Sequence, residues 1–259
     1  MPLLPLEWRD ATPSVNVLRV HFVKGPMRNA ALVFAACVLV GVTVRAARGL
    51  NDRTEHVNRT VALDPGGTLR LKSFSGRVTI TASDRPEVVV NAIRRGDRDR
   101  LDRITLDVHK EGDTVVVDAN HRERSTWYHH NNVVETDFDI TVPRRTNLNV
   151  DVFSAPVYVT GVEGSYNIHG FSSRVRLNDV VWQSRQTIDV NTFSGDVEVQ
   201  LPEGANGSVS FNSFSGRLTS DLPLTLHSSR RRSVTAELGS GGEGRVRVRT
   251  FSGSVRIRR

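Results

Sequence analysis

The chain has 259 residues, of which 38% are apolar and 24% charged, with 20 glycines and 10 prolines. This composition is globular and excludes disordered and collagen-like chains. A single cysteine excludes an intramolecular disulfide scaffold and a cysteine-rich zinc module. The net charge of +7 is spread over 35 basic and 28 acidic residues, so it does not imply nucleic acid, and we expect no such partner.

The most apolar segment lies near the N-terminus. Residues 30–44 read AALVFAACVLVGVTV and carry no charge, with Arg28 before them and Arg45 after them. Fifteen residues is short for a spanning helix, which needs roughly 17 to 25, and suits the core of a signal peptide. We therefore predict an N-terminal hydrophobic helix over 30–46 that contacts the membrane through residues 30–44, after a tail at 1–29 and before a linker at 47–56.

Two features leave the processing of this segment open. Val44-Arg45-Ala46 resembles a small-residue cleavage site, and Met27 offers a second start that would make residues 1–26 an artefact. With either start, we expect the rest of the chain in the cell envelope. It would be membrane-anchored with an extracytoplasmic C-terminal domain, or secreted if it is cleaved near Ala46.

One short motif, Phe-Ser followed by a small residue, recurs six times beyond this segment. Apolar residues sit three and five positions before each Phe, and again four and six positions after it, with one lapse at Ser220. Alternation with period two on both sides of a Ser-Gly corner predicts a strand, a bend and a second strand, with one face buried. The copies begin at Phe74, Phe153, Phe171, Phe193, Phe214 and Phe251, with glycine at Gly76, Gly195, Gly216 and Gly253 and with Ala155 and Ser173 in its place.

This repeat predicts an all-β fold, a parallel β-solenoid over residues 57–259. A unit of about twenty residues cannot bury its face alone, so successive copies should stack in parallel and their Phe rings should form a column. Replacing the central Phe193 by Ala should then cost roughly 3 to 5 kcal/mol. The alternative is an antiparallel sandwich, which would place turns about every eight to twelve residues rather than at twice that interval.

The region between Ile80 and Asn147 lacks the motif. We expect strands at residues 88–90, 115–117 and 138–142, separated by irregular turns and by loops at 94–103 and 121–132. Nearer the C-terminus we expect loops at 228–232 and 239–244. No stretch beyond the apolar segment shows a helical period.

The six motifs, together with Asp139-Ile-Thr-Val-Pro143, resemble a family of bacterial envelope proteins whose domain is called a "putative adhesin" and is of largely unknown function. The resemblance runs from about Val57 to the C-terminus. It implies a β-solenoid outside the cytoplasm without catalytic residues.

Residues that could carry chemistry are few. The Ser that follows each Phe occurs six times in one setting, which indicates a structural role. The sequence also lacks a nucleophile elbow, a zinc-protease motif and a nucleotide-binding loop. The carboxylate pairs Asp137/Asp139 and Asp196/Glu198 are expected on outward strand faces. The candidate binding cluster is His121, Trp127, Tyr128, His129 and His130, which could bind a metal, a sugar or a partner or simply form a solvated loop.

The sequence therefore favours a non-enzymatic, adhesin-like envelope protein without a cofactor. It would contact an envelope surface, a polysaccharide or a partner protein. The alternatives are a self-stacking scaffold, a component that senses envelope stress, and a carbohydrate-active β-helix enzyme.

Overall fold

The computed structural model describes residues 52–121, 133–230 and 232–259. Within these ranges the chain forms nineteen strands and one helix of six residues. The strands are β1 (Asp52–Ala62), β2 (Thr68–Ser75), β3 (Val78–Ser83), β4 (Glu87–Asp97), β5 (Thr105–Glu111), β6 (Thr114–His121), β7 (Glu135–Pro143), β8 (Asn147–Ser154), β9 (Val157–Thr160), β10 (Tyr166–Ser172), β11 (Val175–Asn178), β12 (Thr187–Ser194), β13 (Val197–Gln200), β14 (Gly207–Ser215), β15 (Leu218–Ser220), β16 (Leu224–Arg230), β17 (Ser233–Leu238), β18 (Arg245–Ser252) and β19 (Val255–Arg258), and the helix is α1 (Arg98–Arg103).

Each Phe-Ser corner joins two strands that belong to different sheets. A nine-stranded sheet has the order β1-β4-β7-β3-β9-β11-β13-β19-β15, and a ten-stranded sheet has the order β16-β17-β14-β18-β12-β10-β8-β2-β6-β5. Repeat strands pair in parallel, as in β10 with β12 and β11 with β13. Antiparallel pairs lie towards the ends, for example β1 with β4 and β16 with β17. The fold is therefore all-β with parallel sheets and β-solenoid-like, as the repeat predicts.

The core lies between the two sheets. In β12, Ile188 and Val190 are fully buried, and beyond the corner Val197 and Val199 in β13 are buried as well. These are the positions at offsets of five and three before Phe193 and four and six after it. The same pattern along the repeats, with its one lapse at Ser220, produces one continuous apolar core.

The order of the repeats in space differs from their order in the sequence. β18 pairs with both β12 and β14, so the last copy lies between the fourth and the fifth. After β15 the chain forms the antiparallel strands β16 and β17 and then returns to add β18. The expectation that each copy stacks on the next one along the chain is wrong at this point, because a non-repeat hairpin occupies the position beside β14.

Several local expectations are tested by these elements. The strands expected at 88–90, 115–117 and 138–142 lie in β4, β6 and β7, and residues 239–244 form the expected connection between β17 and β18. The expected loop at 94–103 is wrong, because β4 continues to Asp97 and α1 follows with the Asp97 side chain accepting a hydrogen bond from the Arg100 amide at 2.9 Å. The loop expected at 228–232 is also wrong over its first part, since β16 extends to Arg230.

The membrane segment at 30–46 and the tail before it lie outside the described residues. Among the residues that the structure does describe, no helix is long and apolar enough to span a membrane. The described strands begin at Asp52.

The corner glycines are required where neighbouring coils approach closely. Gly195 has φ of 142°, and a Cβ built on it would lie 2.0 Å from the carbonyl oxygen of Ser173 in the adjacent coil. Gly76, with φ of 103°, would meet the Thr136 carbonyl oxygen in the same way. Only glycine fits such a corner without moving the backbone.

Candidate functional site

The six repeat phenylalanines form one continuous column of rings, which we call the phenylalanine ladder. Successive ring centroids are 4.6 to 5.0 Å apart and the ring planes are nearly parallel. This step matches the spacing between neighbouring strands of a sheet. In order along the ladder, the rings are Phe74, Phe153, Phe171, Phe193, Phe251 and Phe214.

The ladder lies on the outside of the protein. Each ring keeps between 39% and 52% of its surface exposed, whereas the residues three and five positions earlier are buried. Side chains alternate between the two faces of a strand, so residues three and five positions apart point to opposite faces. When those earlier residues face the core, the Phe ring faces solvent. Phe193 is therefore not a core residue, so we now expect its removal to cost less than that of a buried side chain.

A shallow groove of about 970 Å³ runs along the ladder, and we call it the aromatic groove. Its second row is formed by the residues two positions before each Phe, which alternate onto the same outward face. In spatial order, starting from the neighbouring strand β6, this polar row is Asp118, Lys72, Asp151, His169, Asn191, Arg249 and Asn212.

The two ends of the groove differ in charge. Asp118 and Asp151 flank Lys72 at the Phe74 end, and the middle of the row is His169 and Asn191. Arg249 lies near the other end. There Arg232 also lies with its guanidinium carbon 4.0 Å from the centre of the Phe214 ring, a cation–π contact on the outer ring face at this end of the ladder.

The charged groups of the groove lack ion-pair partners among the described residues, while some charges on other outward faces have them. Within 4 Å, neither Asp151 nor Arg249 has an oppositely charged group in the described part of the chain. By contrast, Glu198 on the nine-stranded sheet binds both Arg176 and Arg258. The groove therefore presents charge that the described chain leaves unneutralised.

The candidate cluster expected from the sequence is only partly placed. His121 ends β6 and is half-exposed, with its Nδ1 atom 3.9 Å from Asp107. Trp127, Tyr128, His129 and His130 lie outside the described residues. Across residues 52–121, 133–230 and 232–259, no group of three or more His, Cys, Asp or Glu side chains is arranged to hold a metal ion.

His109 forms the tightest histidine cluster that the structure describes. Its Nδ1 and Nε2 atoms lie 3.0 Å from Asp107 and from Glu111, respectively. The hydrogen bond to the Glu111 carboxylate, with the charge of Asp107, raises the pKa of His109 above its usual value, and the same hydrogen bond lowers the pKa of Glu111. These groups satisfy one another on the edge strand β5.

Three of the four carboxylates considered from the sequence, Asp137, Asp196 and Glu198, make structural contacts. Asp137 binds Arg95 at 2.7 Å and accepts a hydrogen bond from the Arg77 amide at 2.8 Å. Asp196 accepts a hydrogen bond from the Ser254 amide of the adjacent coil at 2.9 Å. These acids join neighbouring coils at the corner.

The groove residues that sequence reasoning missed are Asp151, His169 and Asn191. Each occupies the position two before a repeat Phe, so the repeat could have identified them as one row. Nothing in any single copy distinguishes them from ordinary outward residues. What the assembled row can do is bind, through apolar ring edges, hydrogen bonds and unpaired charges.

Comparison with known families confirms the resemblance drawn from the six motifs. The family Toastrack DUF4097 matches residues 146–258, which run from the start of β8 to the end of β19. This match covers 113 of the 259 residues and shows that residues 146–258 are similar to a Toastrack DUF4097 domain. The Toastrack match contains five of the six ladder rings, while Phe74 lies before it and stacks on Phe153 in the same way. No curated protein sequence is similar enough to count as a relative of the chain.

Of three similar solved structures, one supports the fold. A "putative cell adhesion protein" from Clostridium sporogenes has a TM-score of 0.55 at 10% identity, covering 79% of this chain and 99% of that one. A "putative adhesin" from Bacteroides fragilis gives 0.29 at 10% identity, covering 78% of this chain and 97% of that one. A "putative lipid binding protein" from Parabacteroides distasonis gives 0.24 at 12% identity, with 82% and 98% covered. At these identities, the Clostridium structure supports the Toastrack fold and not a particular ligand.

Proposed function

We propose that this chain is a non-enzymatic, adhesin-like β-solenoid of the bacterial cell envelope. It contacts a surface, a polysaccharide or a partner protein through the aromatic groove. The observation that supports this proposal is the phenylalanine ladder, six half-exposed aromatic rings in one unbroken row.

An exposed apolar row of this size is unusual on a protein that has no partner. Large apolar patches rimmed by polar residues mark interaction sites, and aromatic and arginine side chains contribute most to binding energy at interfaces. The groove has both kinds of residue, with Arg249 and Arg232 beside the rings. These properties favour a binding surface over a reaction centre.

The orientation of the rings limits how a partner can bind. Because each ring stacks face to face on its neighbours, the ladder presents ring edges to solvent, and Arg232 covers the outer face at Phe214. A partner that needs a free ring face, as a stacked sugar does, finds none within the row. A partner that packs along a row of edges, with polar groups facing the polar row, is accommodated.

The envelope location rests on the apolar run at residues 30–44. The chain would be exported by this segment and either tethered by it or released near Ala46. A reporter fused after Arg259 should be active outside the cytoplasm, and most of the protein should fractionate with the membrane. A cytoplasmic C-terminus would overturn the proposal, whereas a soluble product that starts near Ala47 would remove only the tether.

Binding through the groove is tested by changing the centre of the ladder. The full chain with Phe171→Ser and Phe193→Ser together should bind intact cells and isolated envelope polysaccharide at least tenfold more weakly than the unchanged protein. Leu226→Ser is the matched control, because Leu226 is 61% exposed on β16 and is not part of the groove. Equal binding by the double variant and the control would show that the groove is not the contact surface.

A further inference from the structure

The charges along the aromatic groove are arranged so that one half complements the other. The midpoint of the phenylalanine ladder lies between Phe171 and Phe193, with three rings on each side. Counting outward from this midpoint along the polar row, the first residues are His169 on the Phe171 side and Asn191 on the Phe193 side. The second residues are Asp151 next to His169 and Arg249 next to Asn191. The row is therefore acidic on one side of the midpoint and basic on the other.

The acidic half of one groove meets the basic half of another when two copies face each other with their ladders running in opposite directions. A two-fold axis across the ladder at its midpoint places the ring row of one copy on the ring row of the other. It also places Asp151 of each copy opposite Arg249 of the other, which gives two ion pairs for one operation. Further out, it brings the acidic end at Asp118 towards the basic end at Arg232.

The other face-to-face orientation lacks this match. A two-fold axis that runs along the ladder keeps the direction of the coils. If this axis lies over the rings, the two polar rows fall on opposite sides and do not meet, and if it lies between the two rows, the ring row of one copy falls on the polar row of the other. Unpaired charges such as Asp151 would then face aromatic edges and would lose water without gaining a partner, which is costly. Only the antiparallel arrangement satisfies both rows.

We propose that the aromatic groove binds the same groove of a second copy of this chain, antiparallel and about a two-fold axis. This inference rests on the proposed function, since it names the partner protein of the same site. In a two-fold interface both copies contribute the same surface patch, so one half of that patch must complement the other half.

Two observations support a second copy as the occupant. Asp151 and Arg249 find no ion-pair partner in the described part of their own chain, although acids outside the groove such as Asp189 and Glu198 do. The apolar surface is also of suitable size. Six half-exposed rings leave on the order of 500 Å², since one aromatic side chain can bury about 150–250 Å². Together with the area of the polar row, this exposed ring area approaches the ~800 Å² that each partner buries in a standard interface.

The test is a charge reversal with rescue. The full chain is placed one copy per lipid nanodisc, so that the apolar segment cannot drive association, and pairing is measured by sedimentation against concentration. Asp151→Arg alone and Arg249→Asp alone should each raise the dissociation constant at least tenfold, because each sets like charges opposite one another twice. The double variant Asp151→Arg with Arg249→Asp should restore it to within about threefold of the original value.

The matched control is a charge pair on the same sheet outside the groove. Arg247 binds Asp189 at 3.4 Å within the chain and lies two residues before Arg249 on β18. Reversing Asp189, Arg247 or both should leave self-association unchanged. Urea unfolding of every variant shows whether a single reversal acts by unfolding the chain, and restoration by the double variant separates the two causes.

Three results would overturn the inference. These are a protein that stays monomeric up to about 1 mM, pairing that the single reversals do not weaken, and a single reversal that the double variant does not rescue. A monomer that binds polysaccharide or another protein through the ladder would overturn self-association and leave the proposed function intact. Unchanged binding after removal of Phe171 and Phe193 would instead overturn the proposed function.

Discussion

The two sheets have the same repeat and the same core but differ in their outward faces. On the nine-stranded sheet, Glu198 lies between Arg176 and Arg258 and binds both, so this carboxylate is paired within the chain. On the ten-stranded sheet, the aromatic groove leaves Asp151 and Arg249 unpaired among the described residues beside a row of half-exposed rings. The difference shows that a solenoid can pair an outward charge within its own chain or leave it unpaired, and the groove with the unpaired charges is the surface that we propose binds a partner.

The largest expected effect is the loss of stability when a corner glycine is replaced, because the strands of both sheets depend on the same corners. Gly195→Ala would place a Cβ 2.0 Å from the Ser173 carbonyl oxygen at a φ of 142°, so it should reduce the free energy of unfolding by about 3 kcal/mol or more. Ser173→Ala changes the equivalent corner where a side chain already fits and removes only the long hydrogen bond from the Ala155 amide at 3.5 Å, so it should cost about 1 kcal/mol, less than Gly195→Ala. Urea unfolding of the full chain measures both, and equal losses would refute the close-approach argument.

A second pair of variants separates the groove from the core beneath it. Ile188 is fully buried on β12, so Ile188→Ala should cost about 2 to 5 kcal/mol. Phe193 is half-exposed and stacks on two rings, so Phe193→Ala should cost about 1 to 3 kcal/mol and less than Ile188→Ala. The reverse order in thermal or urea unfolding would mean that the ladder is part of the core.

A smaller effect sharpens the contrast between paired and unpaired charge. Glu198→Gln should lower the midpoint of urea unfolding slightly at low salt, and the difference should disappear at high salt because exposed ion pairs are screened. Asp151→Asn should leave the midpoint unchanged at either salt concentration in the monomer. A salt-dependent loss with Asp151→Asn would reveal a partner within its own chain.

The smallest effect concerns pH at the edge of the ten-stranded sheet. Since Glu111 and Asp107 raise the pKa of His109, the folded protein should hold that proton above the usual pKa of about 6.5. The stabilisation is complete below the unfolded pKa and is lost as the pH rises through the folded pKa. An NMR titration of the His109 ring should show the raised value, and Glu111→Gln should bring it closer to 6.5. An unchanged titration in this variant would remove Glu111 as the cause.

Much of the fold follows from local pattern. The fixed offsets around Phe74 through Phe251 predict strand, corner and strand correctly, and glycine at Gly195 marks a corner with positive φ. The errors fall where the repeat stops. α1 has only six residues and no buried face, so it leaves no helical period in the sequence.

The candidate site was less accessible to the same reasoning. The row through Asp151, His169 and Arg249 consists of residues that look like ordinary solvated positions in each separate copy. These charges form a recognisable pattern only when the copies are aligned in space, because the interactions of one charged side chain depend on which side chains lie beside it. The loop cluster around Trp127 stays a prediction.

By itself, the sequence determined which residues face the core and that the repeats stack, because side-chain alternation and burial are properties of each strand and its immediate neighbours. The tertiary structure decided that the last copy inserts between the fourth and fifth, since the β16–β17 hairpin takes the position that a consecutive repeat would have filled. That insertion places Arg249 beside Asn191 instead of Asn212, and so it sets the charge pattern of the aromatic groove. Pairing between distant strands depends on which edge is free when each strand arrives, and no local pattern in the chain records that.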